Sequence, residues 1–292
     1  MSIKPVVHSF FDPQTFTITH VVADPTTKEA AIIDSVLDYD LVTGKTSYEC
    51  ATKVIDLVRV EGYRVQWILE THAHADHVTA AQYLKQKLGG TVAIGERITD
   101  VQKVFADVFH LGATFSTDGR QFDHLWKDGE TFHVGSMNAS VIATPGHTPA
   151  DVTYVIGDAS FVGDTIFMPD YGTARCDFPG GNAETLFDSI RRVYELPEET
   201  RLFMCHDYLP EGRAEYYWET TLMEQKKSNV HVSASVDKDT FVEIRRSRDK
   251  KMGMPRLIIP SIQINIRAGN VPEPDENGVS YLKVPLNGAF AK

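Results

Sequence analysis

Apolar positions along this chain recur with two different periods, and the switches between them divide it into elements. Phe16-Thr17-Ile18-Thr19-His20-Val21-Val22 and Ala30-Ala31-Ile32-Ile33-Asp34 are β-branched and apolar, and the turn-forming Asp24-Pro25-Thr26-Thr27 between them predicts a hairpin. Tyr48 to Val60 carries Val54, Leu57 and Val58 at helical spacing. Val65 to Glu70 reads as a buried strand and Val78 to Leu84 as a helix behind it. Thr91 to Ile94 resumes strand character, and Ile98 to Phe109 reads as helical. Phe132, Met137 to Ala143, Val152 to Ile156 and Ser160 to Val162 then give a succession of short strands. Asn182 to Leu196 places Leu186, Ile190 and Val193 on one helix face, and Arg201 to Cys205 is a short strand ending at His206. The pattern predicts a β-rich core with interspersed helices.

After Glu211 the character changes. Tyr216 to Lys227 and Asp237 to Lys251 read as charged helices, Met254 to Ile266 is apolar and punctuated by proline, and Pro272 to Gly278 is turn-forming. This stretch has no alternating or heptad core of its own, so residues 1–211 are expected to form the main body and 212–292 a helical and irregular extension packed on it.

Composition narrows the class. With 292 residues, 42% apolar, the chain is long enough for a two-layered core. No run approaches the roughly 20 apolar residues that span a bilayer, and Met1-Ser2-Ile3-Lys4-Pro5 is unlike a secretory signal, so the expected location is cytoplasmic. The three cysteines, Cys50, Cys176 and Cys205, are far apart and support neither a disulfide framework nor a zinc knuckle. A net charge of −11 argues against general affinity for nucleic acid or an anionic membrane.

The chemistry concentrates at Thr71-His72-Ala73-His74-Ala75-Asp76-His77, which sits between a predicted strand and a predicted helix. Its histidines and carboxylate can converge on one cation or two adjacent ones. Helix capping by Asp76 is the bland alternative, but it leaves the density of ligands unexplained. Three later strands repeat the layout: Thr144-Pro145-Gly146-His147-Thr148, Phe161-Val162-Gly163-Asp164-Thr165 and Met204-Cys205-His206-Asp207-Tyr208.

In this order the motifs resemble the metallo-β-lactamase superfamily, with the likeness running from His72 to His206. The resemblance implies an α+β fold, an αββα sandwich of two mixed sheets flanked by helices, with the metal at one edge and the catalytic domain in residues 1–211. In binuclear members His72, His74 and His147 would hold one ion, Asp76, His77 and His206 the other, and Asp164 would bridge them. Within the superfamily the chain looks most like the glutathione-persulfide dioxygenases, through the first motif, Gly172-Thr173-Ala174-Arg175-Cys176-Asp177-Phe178 and Cys205-His206-Asp207-Tyr208. Cys176 departs from the threonine common there after the arginine.

That likeness implies one Fe(II) per chain on His72, His147 and Asp164, with His74, Asp76, His77 and His206 around them. Two histidines and a carboxylate leave positions open for substrate and dioxygen. The implied reaction oxidises glutathione persulfide with O2 to sulfite and glutathione. Tyr208 and Arg175 are the expected catalytic side chains, and Arg175, Arg213 and Arg256 the expected substrate contacts. The last belongs to the one basic cluster, Glu243 to Arg256, and such a run is more often a solvated helix face. A homodimer is left open, and any sulfurtransferase partner would be a separate protein. Two rivals stand beside this reading: a binuclear glutathione thioester hydrolase of the glyoxalase II type, and a metal-containing binding or sensor module without turnover.

Overall fold

In the computed structural model, which describes residues 3–288, the first half of the chain runs β1 (Val6–Asp12), β2 (Thr17–Ala23), β3 (Glu29–Ile33), β4 (Val36–Tyr39), β5 (Thr46–Ser47), α1 (Glu49–Glu61), β6 (Arg64–Leu69), β7 (Val78–Thr79), α2 (Ala81–Leu88), β8 (Thr91–Gly95) and α3 (Ile98–Val108). It continues through β9 (His124–Trp126), β10 (Thr131–Val134), β11 (Met137–Ala143), β12 (Val152–Ile156), β13 (Ala159–Phe161), α4 (Ala183–Val193), β14 (Arg201–Phe203), β15 (Glu219–Thr221), α5 (Leu222–Ser228), α6 (Lys238–Asp249) and α7 (Ile258–Asn265).

Successive strand residues point to opposite faces, and this alternation sorts the interior into three apolar layers. In β2 and β3, Val21, Ala30 and Ile32 face outward to pack under α1, α2, α3 and α7, while Val22, Ala31 and Ile33 face the second sheet. Ile68 and Leu69 of β6 divide the same way. In β14, Phe203 joins the layer between the sheets, whereas Leu202 packs outward with Leu186, Ile190 and Val193 of α4 and Phe241 of α6. Strands apolar on both faces explain why the early hairpin reads as a nearly continuous apolar run.

The first sheet has the order β1-β2-β3-β6-β8-β9, antiparallel up to β3 and parallel beyond it. The second has the order β10-β11-β12-β13-β14-β15, antiparallel except for β13 against β14. Both are mixed, and helices cover both outer faces, which is the αββα sandwich of an α+β protein. A small three-stranded sheet, β5-β4-β7, lies beside them. Among the described residues, no helix is long and apolar enough to cross a membrane.

The sequence reading omits β1, β4, β5, β9 and α7, and two segments it takes as helical are not. Val78 and Thr79 form a strand rather than the start of a helix, because they pair with Leu37 and Val36, and α2 begins only after the Thr79 hydroxyl has accepted the Ala81 amide at 3.1 Å. Tyr216 to Thr221 is likewise not helical. Glu219–Thr221 closes the edge of the second sheet against β14, and Thr221 then caps α5 by accepting the Glu224 amide at 3.2 Å. In both places tertiary pairing outweighs local pattern.

Candidate metal centre

Loops leaving β6, β11, β13 and β14 meet at one edge of the sandwich, and each brings ligand-type side chains. Ligand atoms of His72, His147 and Asp164 lie within 4.8 Å of one another, as do those of His74, Asp76, His77 and His206. Asp164 stands between the groups: its Oδ2 is 3.6 Å from His147 Nε2 and its Oδ1 is 3.4 Å from His206 Nε2. The loops approach this closely because two of them carry glycine where a side chain has no room. A Cβ on Gly146 would lie 2.5 Å from the Leu186 amide nitrogen of α4, and one on Gly163 would lie 2.5 Å from the Thr71 hydroxyl. Both glycines also adopt positive φ, 145° and 50°.

Five buried atoms in this set, His72 Nε2, His74 Nδ1, His77 Nε2, His206 Nε2 and Asp164 Oδ1, have no hydrogen-bond partner. A buried polar atom left without a partner costs about 1–3 kcal/mol. The opposite nitrogens are all engaged. His72 Nδ1 is 3.1 Å from the Thr71 hydroxyl, and His74 Nε2 is 3.0 Å from Asp34. His77 Nδ1 lies 3.3 Å from both Asp76 and the Thr17 hydroxyl. His147 Nδ1 donates to the Arg175 carbonyl at 2.8 Å, and His206 Nδ1 to the Phe16 carbonyl at 3.2 Å. Rings fixed through one nitrogen with the other left bare are prepared to bind a cation, so the donor set fits a resident metal.

The electrostatics agree. Burial, reinforced by the neighbouring His74 and His147, pushes His72 well below the ordinary imidazole value, and burial lowers His77 as well. Both therefore present neutral lone pairs near pH 7. Burial also opposes charge on Asp76, but His206 and His77 outweigh it and hold the carboxyl well below its usual range. His74 is the exception: burial works against its protonation, yet Asp34 at 3.0 Å and Glu70 at 3.4 Å raise it well above the ordinary value. Asp34 owes its place to a positive φ of 50° just after β3, and it also accepts the Thr71 amide at 2.7 Å and the Thr71 hydroxyl at 2.9 Å.

A cavity of about 510 Å³ opens on this centre at Asp76, His147 and Asp164. Phe16, Phe167, Tyr171 and Phe178 form its aromatic walls, and Arg248, Arg256, Met252 and Met254 line it further out. Tyr208 faces it with its ring stacked on His206 at 5.4 Å. Burial, with Asp76 and Asp164 nearby, pushes its phenol well above the usual range, so it stays a hydrogen-bond donor.

The site residues expected from sequence therefore fare differently. His72, His74, Asp76, His77, His147, Asp164 and His206 come together, and Tyr208 joins them. Arg256 lines the cavity, exposed and without an ion pair among the described residues. Arg175 also lines it, but its guanidinium binds Asp177 at 2.6 and 2.9 Å and the Gly253 carbonyl at 2.6 Å. Arg213 does not line the cavity: it pairs with Asp207 at 2.7 Å and Asp170 at 3.0 Å, where two carboxylates compete for it. Sequence reasoning missed Asp34, Glu70 and Asn265, and it gave Arg248 only as a member of the basic cluster. Asp34 ends an apolar strand, the same signature that marked the candidate ligands, and Asn265, like Gln263 two residues before it, is an amide in an isoleucine-rich stretch.

Residues 17–206 match the family model of the metallo-beta-lactamase superfamily. The chain is 53% identical to the beta-lactamase hydrolase-like protein of Xylella fastidiosa over 97% of its own length and 65% of that protein's, so it spans about two thirds of that relative. It is 48% identical to glyoxylase B2 of Dictyostelium discoideum, over 98% of this chain and 99% of the other. At 29% identity it resembles the mitochondrial persulfide dioxygenase ETHE1 of Bos taurus, over 90% of this chain and 89% of that protein. The crystal structure of ETHE1 from Myxococcus xanthus superposes with a TM-score of 0.71 at 28% identity, covering 91% of this chain and all of that one.

Proposed function

The chain belongs to the metallo-beta-lactamase superfamily, and from that premise we propose that it is a mononuclear iron(II) dioxygenase acting on glutathione persulfide. The observation that carries this reading is the buried group of two histidines and one carboxylate, His72, His147 and Asp164, of which His147 and Asp164 line the cavity. Held by these three, ferrous iron would supply the redox chemistry that lets dioxygen react, for which zinc has no accessible second oxidation state. The balanced reaction takes glutathione persulfide, O2 and water to glutathione, sulfite and two protons.

The chain's own residues do the binding and orienting. Arg248 and Arg256 are exposed cations at the cavity and form no ion pair among the described residues, so they are available to the two carboxylates of a glutathione moiety. The aromatic walls exclude water around the sulfur end. The Tyr208 hydroxyl has no protein partner among the described residues and remains protonated, so it can donate a hydrogen bond to an oxygen on the reacting sulfur. Arg175 contributes through its main chain, whose carbonyl fixes the tautomer and aim of His147.

A second reading, hydrolysis of a glutathione thioester with two metals, has the more similar named relatives behind it, including the glyoxylase B2 of Dictyostelium discoideum. It also draws support from the second donor group and from the place of Asp164 between the two. Metal analysis coupled to an oxygen electrode separates the readings. One iron per chain, with oxygen uptake on adding glutathione persulfide and formation of sulfite, is the expected result. Two metals per chain with hydrolysis of S-lactoylglutathione and no oxygen uptake would establish the hydrolase.

A further inference from the structure

Helix α7 is apolar along most of its length, with Ile258, Ile262 and Ile264 buried, and Asn265 at its end is only 3% exposed. An amide side chain is unfavourable in such surroundings unless its hydrogen bonds are met. Here all the partners belong to the metal-ligand loop. Asn265 Nδ2 donates to the main-chain carbonyls of His74 and His77, both at 2.8 Å, and its Oδ1 accepts the Thr79 amide at 2.9 Å. Two carbonyls at one end and an N–H at the other leave the amide a single satisfied orientation. The Thr79 hydroxyl in turn donates to Glu70 at 2.6 Å, and the other Glu70 oxygen lies 3.4 Å from His74 Nε2. The helix is itself anchored, since Gln102 of α3 donates to the Ile266 carbonyl at 2.9 Å.

We propose that Asn265 is a positioning residue of the metal centre. It grips the main chain on either side of Ala75-Asp76, and so sets the direction in which His74, Asp76 and His77 present their ligand atoms. Through it the C-terminal segment becomes part of the centre, whichever reaction the centre performs. Grip and metal loading are then linked, each favouring the other.

The test uses cobalt(II), whose ligand-field absorption reports coordination geometry, titrated into the metal-stripped full-length protein. Asn265→Asp keeps the size and the acceptor but sets an oxygen against two carbonyls. It should weaken cobalt binding by about 10–100-fold and change the absorption bands. Gln263→Ala is the control on the same helix, because that side chain bonds the Ile259 and Lys283 carbonyls instead, and it should leave both readouts as in the wild type. Wild-type affinity and spectrum in Asn265→Asp, or equal losses in both variants, would overturn the proposal. Should Asn265→Asp fail to fold, hydrogen exchange on the wild type decides. Cobalt should slow exchange at the Thr79 amide and in α7, and unchanged rates there would refute the link.

Discussion

The two donor groups at the sheet edge are similarly buried but differently supported. His72 and His147 are aimed by a hydroxyl and a main-chain carbonyl, and His147 and Asp164 lie where the cavity opens. His74 and His77 are fully buried, with carboxylates on their far nitrogens and Asn265 on their carbonyls. The contrast separates display from support: His147 and Asp164 of the first group, with Asp76 of the second, face the cavity where a ligand can reach a cation, while His74 and His77 are tied into the fold from several directions.

The harshest way to break this contrast is Asp164→Ala, because Asp164 reaches both groups. Metal content and turnover should both fall by more than about a hundredfold, since loss of a direct ligand exceeds the 10–100-fold typical of outer partners. Plasma emission spectrometry alongside an activity assay measures both, and an unchanged metal content would remove Asp164 from the ligand set.

Asp34→Asn attacks the support alone. Removing the nearer of the two buried carboxylates beside His74, with Glu70 left at 3.4 Å, should destabilise the metal-stripped protein by about 3 kcal/mol, read by calorimetry. The pH dependence has a definite sign. Asp34 is held below its usual value and His74 above. The Asp34 contribution is thus present above its unfolded pKa of about 4 and is lost as pH falls through the lower folded value. That of His74 is complete below about 6.5 and is lost as pH rises through its raised folded value. Stability from the pair should therefore plateau between about pH 4 and 6.5, and Asn at position 34 should flatten the profile.

His77→Ala sharpens the comparison by counting ions. With a single iron on the first group, stoichiometry stays at one and affinity drops by about tenfold through lost support. A fall from two equivalents to one assigns His77 to a second ion. The smallest effects belong to the cavity mouth. Arg248→Ala and Arg256→Ala should each raise KM by about two- to fivefold, less at high salt, with kcat unchanged.

The candidate ligands were legible in the sequence because each follows a strand and local spacing carries the signal. His72 to His77 form a dense motif, and His147, Asp164 and His206 repeat its position relative to the strand before them. Runs of β-branched and apolar residues likewise marked most of the strands, whereas their arrangement in two facing sheets was implied only by the family resemblance. What stayed hidden was what depends on partners distant along the chain. Val78 and Thr79 look like helix until β4 pairs with them. Asn265 is an ordinary amide until it meets His74, 191 residues away. Arg213 and Arg175 looked free for a substrate, but Asp207 and Asp177 claim their guanidinium groups, and charge in a sequence does not say which neighbour will take it.

The bare nitrogens and the bare carboxylate oxygen at the edge have a consequence for how long the molecule lasts. A cation that satisfies them favours the native state over the unfolded chain by mass action, in proportion to the logarithm of its concentration over its dissociation constant. Chelation should therefore do more than stop turnover. It should lower the temperature at which the polypeptide melts, so that heat tolerance itself becomes a gauge of how much metal the surroundings supply.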